Sequence, residues 1–272
     1  MSQRAHQGEV AGTSWAPDQY LKFSEHRLRP ALELLDRIPL AEPNVIYDLG
    51  CGSGQITRLL AERWSSSEVY GVDNSPQMLA EATGEPSTVH WIDADIRNWV
   101  PRKSPDLIYS NATLHWIGNH FDLFQRFVSY LAPGGCLAVQ MPLSWNLLSH
   151  RLMRDTLARG GPDGRPLGDA ALLASLSSNW VENTDFYHDV LAPLTQRLDI
   201  WETQYFHELE GEDAVFEWVR GSGLRPILNS LGDADRTWFL KVYKQRLRDA
   251  YPKRSGNGTV YPFRRLFIVA LV

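Results

Sequence analysis

The sequence predicts an α/β protein built on a doubly wound, mostly parallel sheet. Two observations carry that expectation. Between Asn44 and Met141, apolar runs of strand length alternate with helix-patterned runs, the rhythm of parallel strands joined by helices on both faces. Directly after the first such run, VIYDLGCGSGQIT sets Gly50, Gly52 and Gly54 at every second position. A glycine turn there lets the backbone approach a ligand that a Cβ would hold off. In open α/β sheets, ligands sit beyond the carboxyl ends of the strands, where the strand order reverses.

The elements follow in order. From Pro30 to Arg37 the apolar residues keep helical spacing, and Pro39 ends the run. Asn44–Leu49 is the first strand and Gln55–Trp64 a helix. Glu68–Val72 is the second strand, closed by Asp73 and followed by a helix whose first turn accepts Pro76. Thr88–Ile92 and Asp106–Ser110 are the third and fourth strands, and a Phe- and Leu-rich helix runs from about Phe121 to Leu131. After the Pro133-Gly134-Gly135 turn, Cys136–Met141 is the fifth strand. The rhythm then breaks. Residues 142–197 carry helical pieces and a Gly/Pro-rich loop; Leu198–His207 alternates like a strand. Helices are expected at 211–221 and 233–250, and Arg265–Leu271 reads as a final strand. The expected layout is one domain over 1–272, a loose tail over 1–14, and two helical excursions, 142–197 and 208–260, folding as lids over the ligand-bearing edge.

Bulk properties narrow the function. The 272 residues are 43% apolar and 22% charged, an ordinary globular composition with material for a sizeable core. A formal net charge of −5 argues against a general affinity for nucleic acid or anionic membrane. An anionic substrate would therefore be met by local arginines. Two cysteines, Cys51 and Cys136, build neither a disulfide framework nor a zinc spacing, which points to a reducing cytoplasm. No apolar run reaches membrane-spanning length and no secretory leader is visible.

The glycine turn is not a phosphate loop, because no Gly-Lys-Ser/Thr follows it. A dinucleotide fingerprint would need its third glycine at position 55, which is Gln55; this disfavours an NAD-dependent oxidoreductase. Asp73, ending the second strand, stands where an acid accepts from ribose hydroxyls. Asp73 also stands beside Asn74 and Ser75, good helix caps in their own right. Asp93 and Asp95 alternate past the third strand, where one of them could accept from an adenine amine.

With YDLGCGSG, GVDNSPQML, ADIRNW, DLIYSNATLHW, LAPGGCLAVQMP, GLRP and RRLFIVA in view, the chain resembles the class I S-adenosylmethionine-dependent methyltransferases. Within that class it is similar over nearly its whole length to bacterial enzymes that esterify trans-aconitate. The resemblance implies seven strands, the last inserted antiparallel. It implies a cofactor site of Asp48, Gly50, Gly52, Gly54, Asp73, Asn74, Met78, Asp95, Ile96 and Asn111, closed over by an N-terminal segment bearing Tyr20 and Phe23. His115 and Trp116 would wall the methyl-transfer site, Trp by cation–π attraction to a sulfonium. The implied reaction is carboxyl O-methylation of trans-aconitate or a close tricarboxylate. Its nucleophile is ionised at pH 7 and needs no general base.

The other carboxylates of such a substrate are best held by Arg, whose planar fork bonds two oxygens at once. The candidates are Arg225 in GLRP, Arg27 and Arg29 in EHRLRP, and Arg264 or its neighbour Arg265; Trp145 is a candidate wall. His6, His120, His150 and His188 read as solvated, and no metal is expected. A different small acid, of isopropylmalate or malonyl thioester type, is the alternative substrate. The expected partner is thus a small polycarboxylate, and the expected state a monomer or weak homo-oligomer.

Overall fold

The computed structural model describes residues 24–272 except 222 and 257, with residues 24, 25, 27, 175, 177, 225 and 226, among them the candidates Arg27 and Arg225, described by their backbone alone. The expected tail 1–14 and the candidates Tyr20 and Phe23 lie outside the described residues. The elements are α1 Ser24–Asp36, β1 Val45–Leu49, α2 Gln55–Arg63, β2 Glu68–Asp73, α3 Pro76–Thr83, β3 His90–Asp93, β4 Leu107–Asn111, α4 His120–Tyr130 and β5 Cys136–Pro142. Then come α5 Leu148–Arg159, α6 Ala170–Ser177, α7 Thr184–Leu191, β6 Arg197–Leu209, α8 Ala214–Arg220, α9 Arg225–Ser230, α10 Asp233–Ala250 and β7 Thr259–Leu271. The seven strands lie in the order β3-β2-β1-β4-β5-β7-β6. All neighbours are parallel except β7, which is antiparallel to both β5 and β6. The order reverses between β1 and β4, so the glycine turn and the loop after β4 leave the sheet side by side at the switch point.

Burial explains the strand patterns. β5 is central and covered on both faces, and its seven residues CLAVQMP are all buried. One face packs Leu137, Val139 and Ile268 against Phe124 and Phe127 of α4 and Tyr187 of α7. The opposite face packs Tyr109, Ala138 and Phe267 against Leu34 and Leu35 of α1 and Leu60 of α2. Helix α1 starts before the expected Pro30 and runs through it. Proline removes one backbone donor there, but Leu34 and Leu35 are buried and the Tyr109 hydroxyl donates to the Ala31 carbonyl at 2.9 Å, which holds the helix down.

The last two strands are longer than their sequence signal. Arg265–Leu271 of β7 pairs with β5, but β7 goes on pairing with β6 from Gln204↔Arg264 to Leu209↔Thr259. That extension is a two-stranded ribbon projecting past the carboxyl end of β5. A second core is built on it: Leu209, Tyr261 and Phe263 from the ribbon, Met153 and Leu157 from α5, Leu172 from α6, Phe216 and Trp218 from α8, and Phe239, Tyr243 and Leu247 from α10. Each such side chain contributes about 1.5–3 kcal/mol when fully buried, so the ribbon and its helices form a cap with a core of its own. The expected excursion 142–197 divides between the two cores. Helices α5 and α6 join the cap, whereas α7 packs on the sheet with Tyr187, Val190 and Leu191.

Candidate active site

The turn after β1 has three left-handed glycines, with φ of +78° at Gly50, +55° at Gly52 and +79° at Gly54. They serve different ends. A Cβ on Gly50 would meet the Thr113 side chain at 2.2 Å, and one on Gly54 would meet Trp91 at 2.2 Å. A Cβ on Gly52 would meet only Met78 Sδ, at 3.9 Å. Gly50 and Gly54 thus let the turn pack, while Gly52 keeps backbone open towards the crevice. The turn is tied to β2: Gly50 and Cys51 donate to the Val72 carbonyl at 2.7 and 3.1 Å. Asp73 completes the tie, one oxygen accepting from Gly52 N and the other from Ser75 N, both at 2.9 Å.

Asp48 lies buried beneath the turn and accepts from the Thr57 hydroxyl at 2.7 Å. Burial raises its pKa to about 7; the Thr57 hydrogen bond opposes the rise and the Asp73 charge adds to it. Asp95 is gripped by Arg97, whose Nε donates to both carboxylate oxygens at 3.0 and 2.9 Å. Those bonds hold its carboxyl below the usual range, against a smaller opposing effect of burial. Next to it Ile96 is buried, and its carbonyl accepts from Arg126 at 3.1 Å. Met78 is buried beside Gly52, whereas Asn74 is exposed. Asn111 ends β4 in register with Gln140, and its Oδ1 is buried with no partner among the described residues. An open backbone at Gly52, an acid at the end of β2, a buried acid under the turn and an orphaned Asn111 oxygen fit a nucleoside-bearing cofactor with an amino acid end.

After β4 the chain turns through Ala112 at φ +52° into a short 3-10 segment, Leu114–Trp116. His115 stacks on Trp116 with ring centroids 4.6 Å apart, although Trp116 itself is 56% exposed. The His115 Nδ1 is buried without a partner among the described residues. Its pKa falls to about 3, first through burial and then through the nearby charges of Arg265, His150 and His120. This imidazole is neutral at any ordinary pH.

Alternation along β7 separates the two adjacent arginines. Arg264 is exposed and pairs with Glu202 on β6, so its side chain does not reach the crevice. Arg265 is 4% exposed and donates to Gln140 Oε1 at 3.2 Å. Its guanidinium also lies over the Phe263 ring, 4.9 Å from the centroid. Gln140 Nε2 and His207 Nε2 are buried without partners among the described residues. The His207 ring, sandwiched between His26 and Trp218 at centroid distances of 4.8 and 4.7 Å, is depressed to about 3 by burial, His26, Arg265 and Arg29 in that order. Arg29 lies over Tyr205 and pairs with Glu33, which also accepts from the Tyr205 hydroxyl. Arg225 opens α9 in the cap. Trp145 lies under Arg154, whose Cζ is 3.8 Å from its ring centroid.

Two histidines depart from the solvated expectation. His120 is buried and bonds the Tyr187 hydroxyl at 2.6 Å and the Leu114 carbonyl at 3.0 Å. His150 is depressed to about 4 by burial and by Arg154. Their positions on the inward faces of α4 and α5 explain both. His188 is exposed as expected, and His6 lies outside the described residues. Among the described residues, no group of three or more His, Cys, Asp or Glu could hold a metal ion, and no helix is long and apolar enough to cross a membrane.

Gln140 and His207 were missed by sequence reasoning. One signal was available, for Gln140: a lone glutamine within the apolar strand CLAVQMP.

A sheet of this order carrying a glycine turn at its switch point defines a methyltransferase of class I fold, dependent on S-adenosylmethionine. A family model for the methyltransferase domain matches residues 46–135. The chain is 45% identical to the trans-aconitate 2-methyltransferase of Pseudomonas aeruginosa over 94% of its length and 93% of that protein. It is 44% identical to the Streptomyces avermitilis enzyme of the same name, covering 96% and 98% of the two chains, and 41% identical to that of Escherichia coli, covering 95% and 98%. The chain belongs to the trans-aconitate 2-methyltransferase family. Its fold is also that of Haemonchus contortus phosphoethanolamine N-methyltransferase 2, with a TM-score of 0.51 at 16% identity, covering 89% of this chain and 52% of that one.

Proposed function

We propose that the protein methylates one carboxylate of trans-aconitate, or of a close tricarboxylate, to the monomethyl ester. The observation that carries this reading is Arg265, a buried guanidinium beside Gln140 at the edge where the glycine turn emerges. S-adenosylmethionine, bound along Gly50–Gly54, Asp73, Asp95, Ile96 and Asn111, would supply an electrophilic methyl group. Everything else required is positioning. A carboxylate at neutral pH is already a nucleophile, so the neutral His115 need not accept a proton. Its orphaned Nδ1 and the Gln140 amide can orient a carboxylate by hydrogen bonds, and Arg265 can hold a non-reacting carboxylate through its fork. Shielding by Phe263 and Trp218 withdraws water, strengthening each of these charged contacts. Trp116 supports one wall from its stack on His115. The two cysteines, both free and buried, suit a reducing cytoplasm.

The test is methyl transfer from labelled S-adenosylmethionine to trans-aconitate, cis-aconitate, citrate, isopropylmalate and a malonyl thioester, each offered separately. A base-labile ester formed mainly on trans-aconitate is expected. Preferred transfer to isopropylmalate or the thioester would replace the substrate assignment and keep the reaction.

A further inference from the structure

We infer that His120 and Tyr187 are positioning residues for methyl transfer: together they lock the peptide unit that enters His115, and so fix where that imidazole points. The inference deepens the proposed carboxyl methylation and rests on it.

The hydrogen bonds leave one arrangement of protons. The Glu182 N–H can only donate, so the Tyr187 oxygen, 3.1 Å away, accepts from it and points its own proton elsewhere. His120 Nδ1 lies 2.6 Å from that oxygen and accepts the proton. The hydrogen of the neutral ring is then on Nε2, which donates to the Leu114 carbonyl at 3.0 Å. A carbonyl can only accept, so both ends of the chain demand the same tautomer. Burial supports it by disfavouring the imidazolium, whose second proton would oppose that of Tyr187.

The chain ends on the residue that matters. The Leu114 carbonyl and the His115 nitrogen belong to one planar peptide unit, so gripping that oxygen sets the direction in which the His115 side chain leaves the backbone. The turn has to be held, because Ala112 before it sits at φ +52°, a conformation that a residue with a Cβ keeps only where its surroundings impose it. The holders are themselves fixed. His120 and Tyr187 are buried, and both rings lie beside Phe124, at centroid distances of 5.4 and 5.0 Å. The same stretch of chain presses on the turn at a second point: a Cβ on Gly118 would meet the Trp180 ring at 2.7 Å, so this indole lies directly against the backbone between His115 and His120. Residues 180–187 thus hold the methyl-transfer turn in place, while α5 and α6 of the same excursion build the cap. Apolar rings at 120 and 187 would fill the space; only the bonded pair gives the Leu114 carbonyl a direction.

The experiment compares Tyr187→Phe, His120→Leu and His120→Gln in methyl transfer to trans-aconitate by the full chain. The first two should lower kcat about tenfold through lost orientation. KM for the acid and affinity for S-adenosylhomocysteine should stay within about twofold, because neither Arg265 nor the glycine turn is touched. His120→Gln keeps a donor for the Leu114 carbonyl and should recover part of kcat. In a His115→Ala background, Tyr187→Phe should cost less than about twofold, since no imidazole is left to aim. Nitrogen NMR of the S-adenosylhomocysteine complex reads the same geometry without turnover. His120 should carry its proton on Nε2, and Tyr187→Phe should disturb the His115 ring signals. An undiminished loss in the His115→Ala background, a fall of kcat and S-adenosylhomocysteine affinity in step, or His115 signals indifferent to Tyr187→Phe would overturn the inference. If trans-aconitate is not esterified while the His115 signals respond to Tyr187→Phe, the methyl-transfer reading falls and the hold on His115 stands. Ester formation with a kcat indifferent to both Tyr187→Phe and His120→Leu does the reverse.

Discussion

The edge over β1–β3 and the edge over β5–β7 meet at one switch point, yet they are assembled by different means. Along the first, Asp48, Gly50–Gly54, Asp73 and Asp95 end or follow successive strands, and short backbone bonds such as Gly52 N to Asp73 fix their places. Along the second, Asn111, His115, Gln140, His207 and Arg265 come from separate elements, and only the ribbon and cap gather them. The first edge depends on local conformation, the second on tertiary packing. A mutation can therefore damage one and spare the other.

Asp73→Ala should have the largest effect. It removes the acid proposed to accept from ribose and leaves the Gly52 and Ser75 N–H groups without their partner. Affinity for S-adenosylmethionine should fall on the order of a hundredfold or more, measured by calorimetry, with less loss for Asp73→Asn. Unchanged cofactor binding would remove Asp73 from the site.

Gly50→Ala and Gly52→Ala test the division of labour within the turn. Alanine at 50 combines a positive φ with a Cβ 2.2 Å from Thr113 and should cost roughly 1–3 kcal/mol of stability. Alanine at 52 has space, so it should destabilise less but weaken cofactor binding at least as much. Thermal unfolding and cofactor titration of the two variants check this, and the reverse ranking in stability would contradict it.

Asp48 predicts a pH dependence. Its folded pKa, about 7, lies above the ordinary 3.8, so the native state binds the extra proton between those values. The associated stability is fully present below about 4 and is lost as pH rises through about 7. The cofactor-free enzyme should thus lose more stability between pH 5 and 8 than Asp48→Asn does. Denaturant titrations at several pH values measure this, and parallel profiles would refute it.

The smallest effect is expected for Arg264→Ala. The residue is exposed and paired with Glu202, and such pairs contribute little. Turnover within about twofold of the intact enzyme is expected; a loss matching that of its neighbour Arg265 would erase the distinction drawn from strand alternation.

Much of the first edge was readable because its information is local. A strand followed by GCGSG, and an acid at the end of the next strand, specify turn and ligand edge within a few dozen residues. Even so, the sequence does not say that Gly50 and Gly54 serve packing while Gly52 serves access; Thr113 and Trp91 decide that from other elements. The second edge was only partly readable. Arg264 and Arg265 look equivalent as adjacent letters, and the register of β7 against β5 separates them. The ribbon was read too short because cap side chains, not a parallel sheet, bury Tyr261 and Phe263, and helical neighbours obscure that source of burial. His120 and His150 read as polar surface because a single histidine carries no sign of which helix face it will occupy.

The most direct test of the account is Arg265→Met, assayed for methyl transfer to trans-aconitate and, in parallel, for S-adenosylmethionine affinity. Removing a buried, hydrogen-bonded charge costs about 2–5 kcal/mol where it contacts an anionic ligand, so kcat/KM should fall at least thirtyfold while cofactor affinity moves less than twofold. Loss of both in step would mean that Arg265 supports the fold as a whole, and retention of kcat/KM would mean that the acid is held elsewhere.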